Sequence, residues 1–270
     1  MQKYTYHTHN SFGGLFDGWS SCEEMISTAE NKGFEEIGVS NHLIYHPNVP
    51  NANKMYYNDI NKIIDVHKRS FEEIDKVASN HSIKVYKGLE VDFFPSLEWR
   101  KDFEKIIKEL NPDYLIGSTH FIRTADETRM YNIYHLDCLP ANTSKEDMKE
   151  LLTNYWLNII GAVKSGYFNF IAHIDYCTQF NLCTEVEWND LKYSVIETIK
   201  DKKQPFEINT GGIDRIGRPY PDWWIAEELI KLGVPVIISD DAHGVERIGD
   251  KFPEVEEFLD KVNCKNRYKF

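Results

Sequence analysis

Histidines and carboxylates recur where the β-rich runs of this chain end. His7 and His9 stand two residues apart in the first run, so an extended backbone points both imidazoles to one face. His42 follows the second run in Val39-Ser40-Asn41-His42, and Glu90 closes the third in Gly88-Leu89-Glu90-Val91-Asp92. His120 closes the fourth, His173 the fifth in Ile171-Ala172-His173-Ile174-Asp175, and the seventh ends Ser239-Asp240-Asp241-Ala242-His243. Any one histidine is more often a core or surface residue than a ligand, and Asp240-Asp241 alone could cap a helix. The recurrence on six runs needs one common cause. Buried imidazoles and carboxylates need charge compensation, which a metal cluster supplies. Imidazole and carboxylate without thiolate suit Zn, Mn or Fe in an open hydrolytic site. Seven or more ligands exceed the needs of one ion, so two or three divalent ions are expected, with Glu90 able to bridge. Such a cluster activates a bound water and clamps the oxygens of a displaced group, which is the apparatus of phosphate-ester hydrolysis. His46, His67, His81 and His135 lack this placement and are expected to be structural or surface residues.

Short β-rich runs must position these groups: Lys3–His9, Glu36–Asn41, Lys84–Val91, Tyr114–His120, Phe168–His173, Phe206–Asn209 and Val234–Asp240. Helical segments alternate with them from end to end, as a parallel α/β sheet requires. Ser20-Ser21-Cys22-Glu23 and Thr143-Ser144-Lys145-Glu146 fit capping boxes. If the sheet closes into a barrel, the carboxyl ends of the strands share one rim. The length of 270 residues allows one large domain or two small ones, and no Pro/Gly/Ser linker marks a boundary, so a single domain over 1–270 is expected.

With 31 basic and 43 acidic residues the net charge is −12, which argues against a nonspecific hold on long nucleic acid. Any anionic substrate must find its positive charge in the site. No apolar run approaches the ~18 residues of a membrane span, and residues 1–10 lack the pattern of a signal peptide. A cytoplasmic protein without membrane partners is expected. Five scattered cysteines without a C-x-x-C pair read as reduced thiols. Nothing in the sequence signals an oligomeric state.

At these residues the sequence resembles the polymerase and histidinol phosphatase (PHP) family, from His7-Thr8-His9-Asn10 through His42, Glu90, His120 and His173 to Asp241-Ala242-His243. The resemblance implies a distorted TIM-like (β/α)7 barrel and a trinuclear site. His7, His9, Glu90 and Asp241 would hold the first metal; Glu90, His120 and His173 the second; Asp17, His42 and His243 the third. Asp17 stands where many members have histidine. The stretch Glu207-Ile208-Asn209-Thr210-Gly211-Gly212, with Arg215 and Pro219-Tyr220-Pro221, is similar to the histidinol-phosphate phosphatase branch.

The activity so implied is metal-dependent hydrolysis of a phosphomonoester, L-histidinol phosphate, to L-histidinol and phosphate in histidine biosynthesis. A metal-bridging hydroxide would attack phosphorus, with Glu90, Asp241 and His243 at the reacting centre. Arg215 and Arg218 are the candidates to fork onto phosphate oxygens. The proton donor to the leaving alkoxide is open between a metal-bound water and a rim carboxylate such as Asp92. The segment from Thr124 to Asn142 is long enough for a lid, and Tyr45, Phe93 and Phe94 are expected in the core. Other small-molecule phosphatases, a phosphodiesterase or nuclease of the same family, and a noncatalytic metal-stabilised binding module are the alternatives. The acidic charge counts against a nuclease.

Overall fold

Strands buried on both faces read as continuous apolar runs rather than alternating ones, and Val236-Ile237-Ile238-Ser239 is such a run, buried throughout. A computed structural model of the chain describes residues 1–49 and 56–270. Its strands are β1 (Tyr4–Thr5), β2 (Glu36–Val39), β3 (His42–Tyr45), β4 (Tyr56–Tyr57), β5 (Lys84–Asp92), β6 (Tyr114–Ser118), β7 (Phe121–Arg123), β8 (Met130–Asn132), β9 (Phe170–Ile171), β10 (Phe206–Asn209) and β11 (Val236–Ser239). The helices are α1 (Cys22–Asn31), α2 (Ile60–Ala78), α3 (Leu97–Leu110), α4 (Lys145–Ser165), α5 (Asn189–Lys202), α6 (Gly211–Ile216), α7 (Trp223–Lys231) and α8 (Phe252–Lys261).

The main path of the sheet runs β1-β2-β5-β6-β9-β10-β11, and every pairing along it is parallel. Its two ends meet just beyond the strands, where His9 N donates to Ala242 O at 2.8 Å and Ala242 N to His7 O at 3.2 Å. The result is a nearly closed, seven-stranded TIM-like barrel, with each expected run contributing one strand.

Register does much of the positioning. Val39 pairs with Lys87 on β2 and His42 with Glu90 on β3, so β3 continues the β2 register along β5 after an interruption at Ser40-Asn41. His42 and Glu90 are therefore cross-strand neighbours. Inside the barrel Tyr6, Tyr114, Ile116, Phe170, Ala172 and Ile237 form one apolar cluster, against which Tyr4, Tyr86, Tyr268 and Phe270 pack. A larger core fills the space between sheet and helices and includes Tyr45, Phe93 and Phe94 as expected.

Both capping boxes lie one residue further on than the sequence pattern placed them. Ser21 caps α1 with Glu24, and Ser144 caps α4 with Asp147. Each site offers two hydroxyls in succession; Ser20 Oγ instead accepts from Val245 N at 3.3 Å, and Thr143 Oγ1 donates to Pro140 O at 2.7 Å. The segment after His120 is not a plain loop: β7 and β8 pair antiparallel, and a 3-10 turn over Ile133–Cys138 follows. Among the described residues Cys22, Cys177, Cys183 and Cys264 are free, and no helix is long and apolar enough to cross a membrane.

Candidate metal centre

All the expected ligands converge at the carboxyl ends of the strands. Glu90, fully buried, divides five imidazoles between its two oxygens. Oε2 lies 2.7 Å from His42 Nδ1, 3.3 Å from His7 Nε2 and 3.5 Å from His9 Nε2. Oε1 lies 2.9 Å from His173 Nε2 and 3.5 Å from His120 Nε2. Asp241 Oδ1 stands 3.1 Å from His9 Nε2 and 3.4 Å from His7 Nε2, while Asp17 Oδ2 stands 3.0 Å from His243 Nε2 and 3.2 Å from His42 Nε2. Four sets bring their ligand atoms within 4.8 Å of one another: His9, Asp17, His42 and His243; His7, His173 and Asp241; His7, His9 and Glu90; and His42, Glu90 and His120. The first contains the expected third site with His9 added. The expected second site differs in detail, because His120 groups with His42 and Glu90, whereas His173 groups with His7 and Asp241.

These atoms fit a bound cation better than they fit one another. His7 Nε2, His9 Nε2, His42 Nδ1, Glu90 Oε2 and Asp241 Oδ1 are buried, lie within reach of each other, and have no aligned hydrogen bond. Donors that share a centre rather than pair off have this arrangement, and leaving them bare would be costly.

The charges agree. Burial alone would depress the His7 imidazole, but the carboxylates of Glu207, Asp241 and Glu90 outweigh it and hold His7 well above the usual histidine range. His42 is raised in the same way by Glu90 and Asp17, against its burial. Burial would raise Glu90 and Asp241, yet the surrounding imidazoles hold both well below the carboxylate range. His9 goes the other way, pushed down to about 4 by burial and by the neighbouring His243 and His42. The cluster thus carries ionised carboxylates that draw protons onto imidazoles wherever no other cation stands between them.

A surrounding layer aims the rings. A carboxylate or carbonyl oxygen can only accept, so the facing ring nitrogen carries the proton. His7 Nδ1 donates to Glu207 Oε2 at 2.8 Å, His120 Nδ1 to Asp92 Oδ1 at 2.6 Å, and His243 Nδ1 to Asp241 O at 2.9 Å. Each bond turns Nε2 toward the cluster. Glu207 is itself held by Ser239 Oγ at 2.7 Å, Asn209 Nδ2 at 2.9 Å and the His173 backbone N–H at 2.9 Å. Sequence reasoning noticed Glu207 only as part of a glycine-rich stretch. The available signal was an acid between Phe206 and Ile208 in a strand with every residue buried. Asp92 does not reach the rim: beyond His120, its oxygens accept from Ser118 Oγ and from the backbone N–H groups of His120 and Phe121, which corrects the expectation that it could donate a proton there. Asp17 is carried by the loop that follows His9 and Asn10. A Cβ on the next residue, Gly18, would lie 2.6 Å from the Asn10 carbonyl carbon, so only glycine lets this loop fold back so closely.

Over the cluster opens a cavity of about 390 Å³ whose lining includes Asp17, Trp19, His120, Tyr134, Arg215 and Asp241. His42, Ile44, Asn132, His135, Tyr176 and His243 complete it. His135, expected to be structural or at the surface, is exposed but part of this wall. Asn132, Tyr134 and His135 all come from the segment expected to form a lid. Arg215 Nη1 donates to Tyr134 Oη at 3.2 Å. Arg218 corrects an expectation, for it does not line this cavity. Its donors are spent on Asp175 Oδ2 at 2.9 Å, Thr178 Oγ1 at 2.7 Å and Pro219 O at 3.1 Å, with Asp222 Oδ2 also 3.1 Å from Nε. The remaining histidines are apart from the centre: His46 pairs with Glu127 at 2.8 Å, His67 is buried beside Phe16, and His81 bridges Glu23 and Glu30.

A parallel α/β barrel whose strand ends gather imidazoles and carboxylates at ligand spacing defines a class of TIM-like barrel suited to holding several metal ions. Within that class, the chain belongs to the PHP domain family, whose model matches residues 5–211. It is 25% identical over 258 residues, 95% of this chain and 91% of the relative, to a Thermotoga maritima protein named "Probable histidinol-phosphatase". It is 26% identical over 182 residues to a Deinococcus radiodurans protein of the same name, covering 66% of this chain and 65% of that one. The histidinol phosphate phosphatase of Lactococcus lactis subsp. lactis, solved in complex with zinc, L-histidinol and phosphate, has the same fold: TM-score 0.71, 18% identity, 100% of this chain and 97% of that chain covered.

Proposed function

We propose that this protein is a metal-dependent phosphomonoesterase that hydrolyses L-histidinol phosphate to L-histidinol and phosphate, and so serves histidine biosynthesis. The observation that carries the reading is Glu90 at the centre of five imidazoles, beneath a cavity that also presents an arginine. The names of the Thermotoga maritima and Deinococcus radiodurans relatives, and the L-histidinol and phosphate held by the Lactococcus lactis enzyme, support the choice of ester.

His7, His9, Glu90 and Asp241 would hold one ion, Glu90, His120 and His173 a second, and Asp17, His42 and His243 a third. Ions of the Zn, Mn or Fe type would supply an activated water and positive charge for the phosphoryl oxygens. The chain's own residues do the rest. Glu207 and Asp92 fix the tautomers of His7 and His120, so that each presents a bare Nε2. Glu90 and Asp241 place negative charge beside the imidazoles, and His243 stands between Asp241 and Asp17. Arg215, steadied by Tyr134, offers guanidinium donors to the phosphate. Because β1 and β11 come from opposite ends of the chain and flank the barrel closure, we read 1–270 as one domain.

The test is a substrate panel: L-histidinol phosphate, several other monoesters and a phosphodiester, given to metal-loaded protein. Selective phosphate release from L-histidinol phosphate supports the reading. Preference for another monoester would replace the substrate, and preference for the diester would replace the reaction class.

A further inference from the structure

Large aromatic side chains normally lose their exposed surface on folding, yet two on the cavity lining keep it: Trp19 is 62% exposed and Tyr134 47%. Trp19 is not exposed for want of restraint. Its backbone N–H donates to His243 O at 2.8 Å, and its indole Nε1 donates to Glu246 Oε1 at 3.0 Å. The indole plane lies 27° from that of His243, with ring centroids 6.0 Å apart. Below the ring is Gly244, where a Cβ would stand 1.9 Å from Nε1, so the indole rests on bare backbone. A ring tied at backbone and indole nitrogen, on the lining of a cavity and with most of its surface open to solvent, contributes little to the core and is pre-organised for a ligand.

The surroundings specify the ligand's charge. The Glu246 carboxylate that accepts from Nε1, and that is not among the metal ligands, adds electron density to the indole. The face of an electron-rich indole attracts a cation, above all a flat one. Arg215 and the metal ligands attend to the opposite charge, so one cavity offers an anion site and a separate aromatic platform.

We propose that Trp19 is the specificity-determining residue for the leaving group: its indole stacks on a planar nitrogen heterocycle able to carry positive charge, as the imidazole of histidinol does. The proposal rests on the functional reading above and deepens it. Trp19 acts on binding of the organic moiety, not on the chemistry at phosphorus.

Calorimetric titration of L-histidinol into metal-loaded wild type, Trp19→Ala and Trp19→Phe tests it, together with KM and kcat for L-histidinol phosphate and for glycerol 3-phosphate, which has no ring. Trp19→Ala should weaken L-histidinol binding and raise KM for L-histidinol phosphate about 10- to 30-fold, with kcat within about twofold. Trp19→Phe should restore both to within about threefold, and kcat/KM for glycerol 3-phosphate should not move. Equal losses for both phosphates, unchanged L-histidinol binding in Trp19→Ala, or no L-histidinol binding by wild type would each overturn the proposal. Failure of the functional reading looks different: wild type would bind L-histidinol through Trp19 yet release no phosphate from its ester.

Discussion

Glu207 Oε2 accepts a 2.8 Å hydrogen bond from His7 Nδ1, and both side chains are fully buried. The bond leaves Nε2 as the lone-pair nitrogen, facing Glu90 and Asp241. Glu207→Gln keeps the shape but weakens the acceptor and allows the amide to present N–H instead. Metal affinity should then fall about 10- to 100-fold, the usual effect of losing such a partner. Competition with a chromophoric chelator measures it, and an unchanged affinity would remove Glu207 from the account.

The metal-free chain should have its own pH dependence. His7, His42, His120 and His243 are raised above their ordinary value of 6.5 by the facing carboxylates, despite burial. A raised histidine contributes stability that is fully present below pH 6.5 and is lost as the pH climbs through its folded-state value. Glu90 is lowered from 4.5, so its contribution is present above that pH and fades in acid. His9 and His67, lowered to about 4 and about 3 chiefly by burial, act the other way and lose stability as the pH falls below 6.5, so metal-stripped protein should melt highest near pH 6.5 and lose stability toward both pH 4 and pH 9, with the alkaline loss much reduced by added metal. Thermal melts of both forms across pH 4 to 9 check this, and a stripped protein with no alkaline loss would contradict it.

Two arginines three residues apart should behave differently. Arg215 lines the cavity, so Arg215→Ala should lower kcat/KM about 10- to 100-fold, the worth of a charge-assisted bond, with little change in melting temperature. Arg218 holds Asp175, which is 1% exposed. Arg218→Ala should cost about 3 kcal/mol of stability by stranding that carboxylate. Parallel melts and steady-state kinetics on both variants decide it; the reverse pattern would exchange their roles.

The barrel was legible because each parallel strand is a compact apolar run between helical stretches. The ligands were legible because few side chains hold hydrolytic metals and these recur at strand ends. What the sequence concealed depends on contacts between distant segments. Glu207 is 200 residues from His7 and acts only through the β10 register. The role of Arg215 depends on how α6 sits against the cavity and that of Arg218 on which way the chain turns after α6, and neither residue's neighbours state it. Trp19 became conspicuous only once the structure set it against Gly244 and His243. The capping boxes slipped by one residue because adjacent hydroxyls satisfy the same pattern, and tertiary partners choose between them.

One cluster, organised by Glu90 and Asp241, is proposed both to bind the metals and to perform the hydrolysis. Its most direct test is phosphate release from L-histidinol phosphate by wild type, His120→Ala and Asp241→Asn, with metal content determined on the same folded samples. Wild type should hold two or three ions per chain and turn over, with fewer ions and a loss of at least about 10³-fold in kcat/KM in each variant. Full activity in either variant, or wild-type turnover without bound metal, would contradict it.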